Sequence, residues 1–505
     1  MNILVIAIIF LATAENMAPL ILGYLKTPPN AVFLGTVHHP LDYFYYLSQF
    51  AQGSYRWITT VNLFTSESLP PTFVGWSNVL LGRIFSVFGI PPIIAYHTSV
   101  AILMALLLVC AYKLAVAITN SRLKATVSLY LFTLFHAFSV TREGNPSYGD
   151  YFNNFAVPRV RFGAVPHQLL TAAISMLIVH SAIAWTRSRN RKYLILLAVG
   201  SVALASLQPV LWAMISIAVL ISGQWQLGVV GVSGLVPALY LSRLFSVFPF
   251  SQLRAWEAAQ QTALTMEHFI SATGPVFLLA LFSFPGTMRN KSFGMRFAIV
   301  FSTISFLLFL SPIPKLLDIS HVRFLSTLTI LLVSVIAASG LTKLVTSAQR
   351  PAKIIGWAML LILSLYLLPN HSKTIRLSSA FKPENAYEYL STDDYRFFTD
   401  IRATLTPRDL TLVPWPYNEM FPALTGMRSF HGHPLLTIKA EEKSRDAGDF
   451  FSHALSDAQN VSFLAGHGIS YIIGPAYDGA LKEKTWLKPV VSSRELILYQ
   501  VQKQP

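Results

Sequence analysis

The run His38-His39-Pro40-Leu41-Asp42-Tyr43-Phe44-Tyr45-Tyr46 gathers two imidazoles, one carboxylate and three phenols within nine residues. Asp42 is a candidate general base, because a carboxylate partly withdrawn from water has its pKa raised toward working pH. Asp42 equally fits a helix N-cap: it precedes a helical-looking segment, 43–52, whose aromatics suit a membrane interface. His38, His39 and Asp42 are also metal-ligand types, yet the run fixes no fourth ligand. Glu67 is a candidate second acid, with a solvated loop residue as the plain alternative.

A second group runs through Arg142, Glu143, Asp150, Arg159, Arg161 and His167, interleaved with Tyr148, Tyr151, Phe152, Phe155 and Phe162. Guanidinium forks bind phosphate bidentately while aromatic faces hold an apolar chain, so the mixture suits an anionic headgroup carried on a lipid. Interfacial anchoring by snorkelling arginines and belt aromatics accounts for the same residues. A third group, Asp318, His321 and Arg323, opens an apolar stretch, where an arginine either snorkels or pairs with a phosphate. The chain has no Walker A loop, dinucleotide-binding glycine motif, nucleophile elbow or zinc-protease helix, so ATP-driven transport and soluble-cofactor chemistry have no support. One cysteine, Cys110, rules out an intrachain disulfide.

The elements that must position these groups are apolar. Over 505 residues 53% are hydrophobic and 12% charged, about half the charge of a soluble chain. About eleven crossings are expected, at 3–25, 92–117, 125–140, 164–186, 193–207, 210–222, 226–245, 269–286, 297–311, 323–345 and 354–369, with Gln208-Pro209 as a turn. The first reads as an uncleaved helix, since no basic residue precedes it and no cleavage site follows. The segment 73–90, bounded by prolines and carrying Arg83, reads as interfacial or re-entrant.

Basic residues alternate along these loops. Lys113, Arg122 and Lys124, then Arg187, Arg189, Arg191 and Lys192, then Arg289, Lys291 and Arg296, then Lys343, Arg350 and Lys353 mark cytoplasmic loops without an acid. Loops 26–91, 141–163, 246–268 and 312–322 then lie outside, and every acid except Glu15, inside the first helix, falls on that side. The net charge of +15 is therefore a record of topology, and nucleic acid is not an expected partner.

From residue 370 the pattern changes. Fifteen basic and fifteen acidic residues accompany a helix expected at 386–405, a strand at 410–414, a helix at 439–458, a strand at 470–474 and a hairpin at 487–501. The reading is thus a polytopic α-helical membrane domain, 1–369, followed by a small extracytoplasmic α/β domain, 370–505. Asn370-His371-Ser372 and Asn460-Val461-Ser462 match the glycosylation acceptor pattern.

This arrangement resembles the GT-C superfamily of integral-membrane glycosyltransferases, in particular its poorly characterised prokaryotic branch. The stretch Asp42-Tyr43-Phe44-Tyr45-Tyr46-Leu47-Ser48-Gln49, Gln52-Gly53, Leu63-Phe64-Thr65-Ser66-Glu67, Gly82-Arg83, Tyr96-His97, Pro166-His167, Arg323-Phe324 and the closing segment around Gly468–Ile473 carry the resemblance. It implies a polyprenyl-phosphate-linked sugar as donor, a glycan, lipid or protein acceptor, a prokaryotic plasma membrane, a cytoplasmic N-terminus and an outer C-terminal domain. Asp42 becomes the implied base, with Glu67 as second acid. Arg159, Arg161, His167, His321 and Arg323, with Tyr45, become implied ligands of substrate and lipid phosphate. Some relatives use a divalent metal and others none, so no cofactor is assigned. Asp42 lacks the adjacent acid of many members, and the tail lacks the acceptor motif of oligosaccharyltransferases, which disfavours transfer to asparagine. The alternative is a non-catalytic membrane protein of the same shape, a lipid-linked-glycan carrier or an envelope assembly factor; a transporter ranks third, since no inverted repeat is visible.

Overall fold

The computed structural model describes residues 2–135, 165–259 and 266–502. The chain divides into two compact units that do not follow chain order: Met1–Ala18 with Val100–Val247 and Arg254–Leu377, and Pro19–Ser99 with Phe248–Leu253 and Ser378–Pro505. The loop after the first helix therefore belongs with the tail, where the sequence suggested a simple cut at 369/370.

The chain is a multi-pass α-helical membrane protein. Among the described residues seven helical stretches are long and apolar enough to span about 30 Å of hydrocarbon: Ile3–Leu25, Pro92–Thr119, Pro166–Ser188, Trp225–Leu244, Phe293–Leu310, Thr327–Val345 and Arg350–Lys373. The other four expected crossings fall on shorter or broken helices. Arg122–Leu134 runs toward residues outside the described set, Arg191–Leu207 has 17 residues and Pro209–Ile221 has 13. Pro209 opens its helix and Gln208 before it is non-helical, so the chain turns there as expected. Met266–Met288 breaks at Gly274, whose φ of 71° and ψ of −179° only glycine adopts readily.

Three basic loops also carry the helix starts. Ser121, Asn190 and Ser292 accept the backbone N–H of Lys124, Lys192 and Met295 at 3.3, 3.0 and 3.4 Å, satisfying donors that lipid could not. Thr327–Val345 is the central helix of this unit, packed against Met266–Met288 and Arg122–Leu134. Arg323 does not open it, as the sequence suggested: His321–Phe324 forms a separate 3₁₀ turn, and Ser326 starts the helix through a capping box with Thr329. Glu15, the acid inside the first helix, pairs with Nδ1 of His371, which is buried within the last long helix, Arg350–Ser378. Asn370-His371-Ser372 thus lies inside a helix, and Asn460 of the other acceptor triplet is buried, donating to the Leu455 carbonyl at 3.3 Å.

In the second unit, β1 (Ala31–Phe33) of the first loop pairs antiparallel with β2 (Tyr389–Ser391) of the tail, Val32 facing Leu390. This pairing explains why the helix expected from 386 begins only at Thr392: residues 389–391 are extended, and Ser391 caps the helix by accepting the Asp394 N–H at 3.0 Å. The remaining strands, β3 (Leu410–Leu412), β4 (Arg428–Ser429), β5 (Tyr471–Pro475), β6 (Leu487–Ser492) and β7 (Leu496–Val501), form one sheet of order β4-β3-β5-β7-β6. β4, β3 and β5 are parallel, while β7 runs antiparallel to both β5 and β6, giving the expected closing hairpin. The helix expected at 439–458 is two, Ala440–Phe451 and Asp457–His467, because Ser456 forms a new capping box with Gln459. Leu410, Leu412, Phe430, Phe450, Leu464, Ile472, Trp486 and Tyr499 are in the core of this small α/β region.

Candidate functional site

Asp42 sits in the helix Pro40–Gln52, which opens two residues before it. His39 holds the N-cap position without a side-chain cap bond and Pro40 is the first helical residue, so Asp42 is the third, in the first turn. The N-cap reading of Asp42 is therefore not realised. Pro40 sets the start because its fixed φ suits the first helical position and its missing N–H loses no bond there. Freed from capping, the Asp42 side chain is exposed, and the protein around it raises its pKa above the usual aspartate value while the positive field of His39 opposes the shift.

A buried aromatic floor fixes this turn. Tyr43 is fully buried, donates its hydroxyl to the Leu34 carbonyl at 2.7 Å and stacks on His97 at 5.8 Å between ring centroids. Gly35 makes the approach possible: its φ is +79°, and a Cβ there would stand 2.3 Å from His97 Nε2. His38 Nε2 lies 3.1 Å from the Tyr96 hydroxyl, and Tyr96 packs edge-on against Tyr43 and His97. Both imidazoles are thus held by phenols.

Tyr45, half-buried, is pushed up to about 12, chiefly by burial, so its hydroxyl keeps its proton across the working range. Its ring meets Tyr46, Phe64 and, from the tail, His433. His433 is a residue that sequence reasoning missed. Its Nδ1 accepts the Leu435 N–H at 3.2 Å, which leaves the ring proton on Nε2, and burial together with the field of His39 pulls its pKa to about 4. The signal was present in His431-Gly432-His433-Pro434, a second histidine cluster with a His-Pro step like that of His39-Pro40.

Glu67 has another partner. Lys443, buried in the helix Ala440–Phe451, donates to Glu67 Oε2 at 2.6 Å and to Thr65 Oγ1 at 3.0 Å, and Thr65 in turn donates to Glu67. Burial pushes the Glu67 carboxyl up, but the bonds from Lys443 and Thr65 outweigh it and hold the group below its usual value. An ionised carboxylate so engaged is a poor proton donor.

In the first unit His167 is the second residue of the helix Pro166–Ser188, and the charge of Arg323 reaches it. Arg323 itself binds Glu257 with both arms of its fork, at 2.8 and 3.1 Å, and Arg254 meets Asp318 at 3.5 Å. His321 donates from Nδ1 to the Phe309 carbonyl at 2.8 Å, which leaves Nε2 for another partner. Arg142, Glu143, Asp150, Arg159 and Arg161 lie outside the described residues. Among the described residues no three His, Cys, Asp or Glu side chains converge as a metal site, and His38, His39 and Asp42 do not form one.

The chain has the GT-C fold, shared with solved membrane glycosyltransferases. The Archaeoglobus fulgidus oligosaccharyltransferase in its apo form matches 93% of this chain and 69% of its own, at a TM-score of 0.54 and 12% identity. The same enzyme, AglB, solved with an inhibitory peptide and a dolichol-phosphate, matches at 0.53. The mycobacterial arabinofuranosyltransferase AftD matches 98% of this chain at a TM-score of 0.51 and 13% identity, and the chain spans 41% of AftD's length. No family model and no curated protein sequence matches the chain.

Proposed function

We propose that the chain is a glycosyltransferase that moves a sugar from a polyprenyl-phosphate donor to an acceptor at the outer face of a prokaryotic plasma membrane. The observation that carries this reading is Asp42: an exposed carboxylate with a raised pKa, in the first turn of the first-loop helix, on a fold shared with AglB, whose structure contains a dolichol-phosphate.

In the proposed step the Asp42 carboxylate takes the proton of an acceptor hydroxyl while that oxygen attacks the anomeric carbon. The bond from that carbon to the phosphate oxygen breaks, and the lipid phosphate leaves with the electron pair. A raised pKa makes the Asp42 carboxylate a stronger base than that of an ordinary aspartate. Tyr45 offers a neutral hydroxyl, and the Nε2–H of His433 a neutral donor, for sugar oxygens. Charge develops on the departing phosphate, and cationic forks stabilise it more than the ground state. His167, His321 and Arg323, with Arg159 and Arg161, are the proposed phosphate ligands. Arg323 must then exchange Glu257 for phosphate. Glu67, committed to Lys443, is left out of the chemistry.

Membranes containing the protein, given a radiolabelled polyprenyl-phosphate sugar, test the reading. Wild type is expected to transfer label to an envelope glycan, lipid or protein, and Asp42→Asn to lose transfer while inserting normally. Full activity in that variant removes Asp42 from the mechanism. Binding of the donor without transfer in the wild type supports a carrier or assembly factor instead.

A further inference from the structure

The helix Trp76–Ser86 carries an apolar face that the proposed chemistry does not use. Ile84, Val87 and Phe88 recur at helical spacing and are exposed, Val87 by 67% and Phe88 by 74%. The eleven residues of this helix reach about 16 Å, too short to cross about 30 Å of hydrocarbon. Four residues beyond Phe88, however, Pro92 opens the membrane-spanning helix Pro92–Thr119, whose Ile94 is also exposed. The face therefore adjoins a helix that stands in lipid, where a short helix with one apolar side lies along the membrane interface.

Arg83 precedes Val87 by one helical turn. Its guanidinium stacks over the Trp57 ring, 4.7 Å from the centroid, and donates from Nη1 to the Ser54 carbonyl at 3.0 Å. Trp57 is itself 62% exposed, and Arg56 beside it donates to Thr59 Oγ1 at 3.2 Å. Among the described residues no acid forms an ion pair with either arginine. Between Asp42 and Glu143 the chain has one acid, Glu67, and Lys443 holds it. Nη2 of Arg83 has no hydrogen bond among the described residues and is not buried, so one arm of the fork is open to a ligand.

We propose that this face is an interfacial anchor that binds an anionic phospholipid of the surrounding bilayer, its phosphate on the Arg83 guanidinium and its acyl carbons against Trp57, Val87 and Phe88. A phospholipid sets phosphate beside hydrocarbon, as the site sets a guanidinium beside apolar side chains. A zwitterionic headgroup would bring its ammonium toward two arginines with no acid to offset them, and bind less well. The consequence reaches the Asp42 helix. Gly53 closes that helix and Gly82 lies in Trp76–Ser86; a Cβ on either would collide with the backbone of the other segment. Ser86 Oγ also donates to the Gly53 carbonyl at 3.3 Å. The depth that the anchor takes in the bilayer is thus passed to the helix that carries Asp42.

Full-length protein in nanodiscs provides the test, with the fluorescence of Trp57 taken as the difference between wild type and Trp57→Phe. Lipids brominated on their acyl chains quench a tryptophan that they touch. Brominated phosphatidylglycerol, diluted into unbrominated phosphatidylcholine, is expected to quench Trp57 at about 5-fold lower mole fraction than brominated phosphatidylcholine, the worth of one basic residue near an anionic headgroup. Arg83→Gln should remove most of that preference and Arg83→Lys should keep part of it. Equal quenching by the two lipids, or a preference that survives Arg83→Gln, overturns the proposal. No quenching by either also overturns it, and leaves the face to a protein partner or a second copy. Loss of the phosphatidylglycerol effect on adding a short-chain polyprenyl phosphate assigns the site to the donor and overturns it too. Should Arg83→Gln fail to fold, the comparison of the two lipids on wild type still decides. The anchor does not depend on catalysis: Asp42→Asn is expected to show the wild-type quenching, so failure of the anchor and failure of transfer are read apart.

Discussion

Lys443 Nζ stands 2.6 Å from Glu67 Oε2, across 376 residues of sequence, joining a helix of the tail to the loop after the first helix. Burial lowers the lysine's pKa even with this acid beside it, while the glutamate is held below its usual value. The pair therefore compensates a buried ammonium more than it adds net stability. Glu67→Gln is expected to destabilise the protein by about 1–3 kcal/mol, less than for a fully buried pair because Glu67 is 38% exposed. The double variant Glu67→Leu with Lys443→Met should cost less than Glu67→Gln alone. Thermal unfolding in detergent compares them. Because the Glu67 value is depressed on folding, its contribution is present above the usual glutamate value of 4.5 and is lost as pH falls through the folded value.

The base at Asp42 predicts an acid limb in the rate profile. Protonation removes the base, and partial desolvation of the carboxylate by the protein around it raises its pKa, so activity is expected to fall on acidification at a higher pH than an ordinary aspartate gives. His39 opposes that rise, so His39→Gln should move the limb further up. Rates measured against pH for wild type and variant check both directions; an unmoved limb removes His39 from the electrostatics of Asp42.

At Gly35 the geometry allows no side chain. Gly35→Ala places a methyl 2.3 Å from His97 Nε2 at a φ of +79°, and about 2–4 kcal/mol of stability is expected to be lost through clash and backbone strain together. Unfolding measurements give the magnitude. Since Tyr43 and His97 underlie the Asp42 helix, transfer activity should fall with it.

For Arg323 the two readings separate kinetically. As a phosphate ligand, Arg323→Ala should raise the KM for the lipid donor about tenfold, in line with a lost charge-assisted fork, and Arg323→Lys should recover only part. Glu257→Gln releases the guanidinium and should lower that KM. The ion pair is half-exposed, so either change should shift stability by no more than about 1 kcal/mol. Unchanged KM in Arg323→Ala confines the residue to its pairing with Glu257.

Much of this architecture was legible in local sequence. Seven of the apolar runs coincide with described helical stretches long enough to span a membrane, and alternation gave the β6–β7 hairpin. The partner of Glu67 is not legible, because nothing near it in sequence reveals a buried lysine 376 residues away. Asp42 was offered as a cap because cap preference favours aspartate, whereas the fixed φ of Pro40 starts the helix earlier. The helix at 386–405 lost its first residues to β2, whose partner strand lies in the first loop. At Glu67 and β2 tertiary context overrode a local preference, whereas at Asp42 one local preference overrode another.

The pairing of β1 with β2 also sets an order of events during synthesis. The Thr36 hydroxyl bonds the Tyr387 carbonyl 351 residues later, so the loop that carries Asp42 emerges long before its partner exists. At ordinary elongation rates that interval is roughly 20–70 s. Contacts of such high sequence separation form late, and the apolar face around Phe33 waits uncovered until Tyr389 arrives. A ribosome that stops before β2 leaves helices in the membrane but an unfinished first loop, so the arrival of β2 licenses assembly of the acid-bearing region.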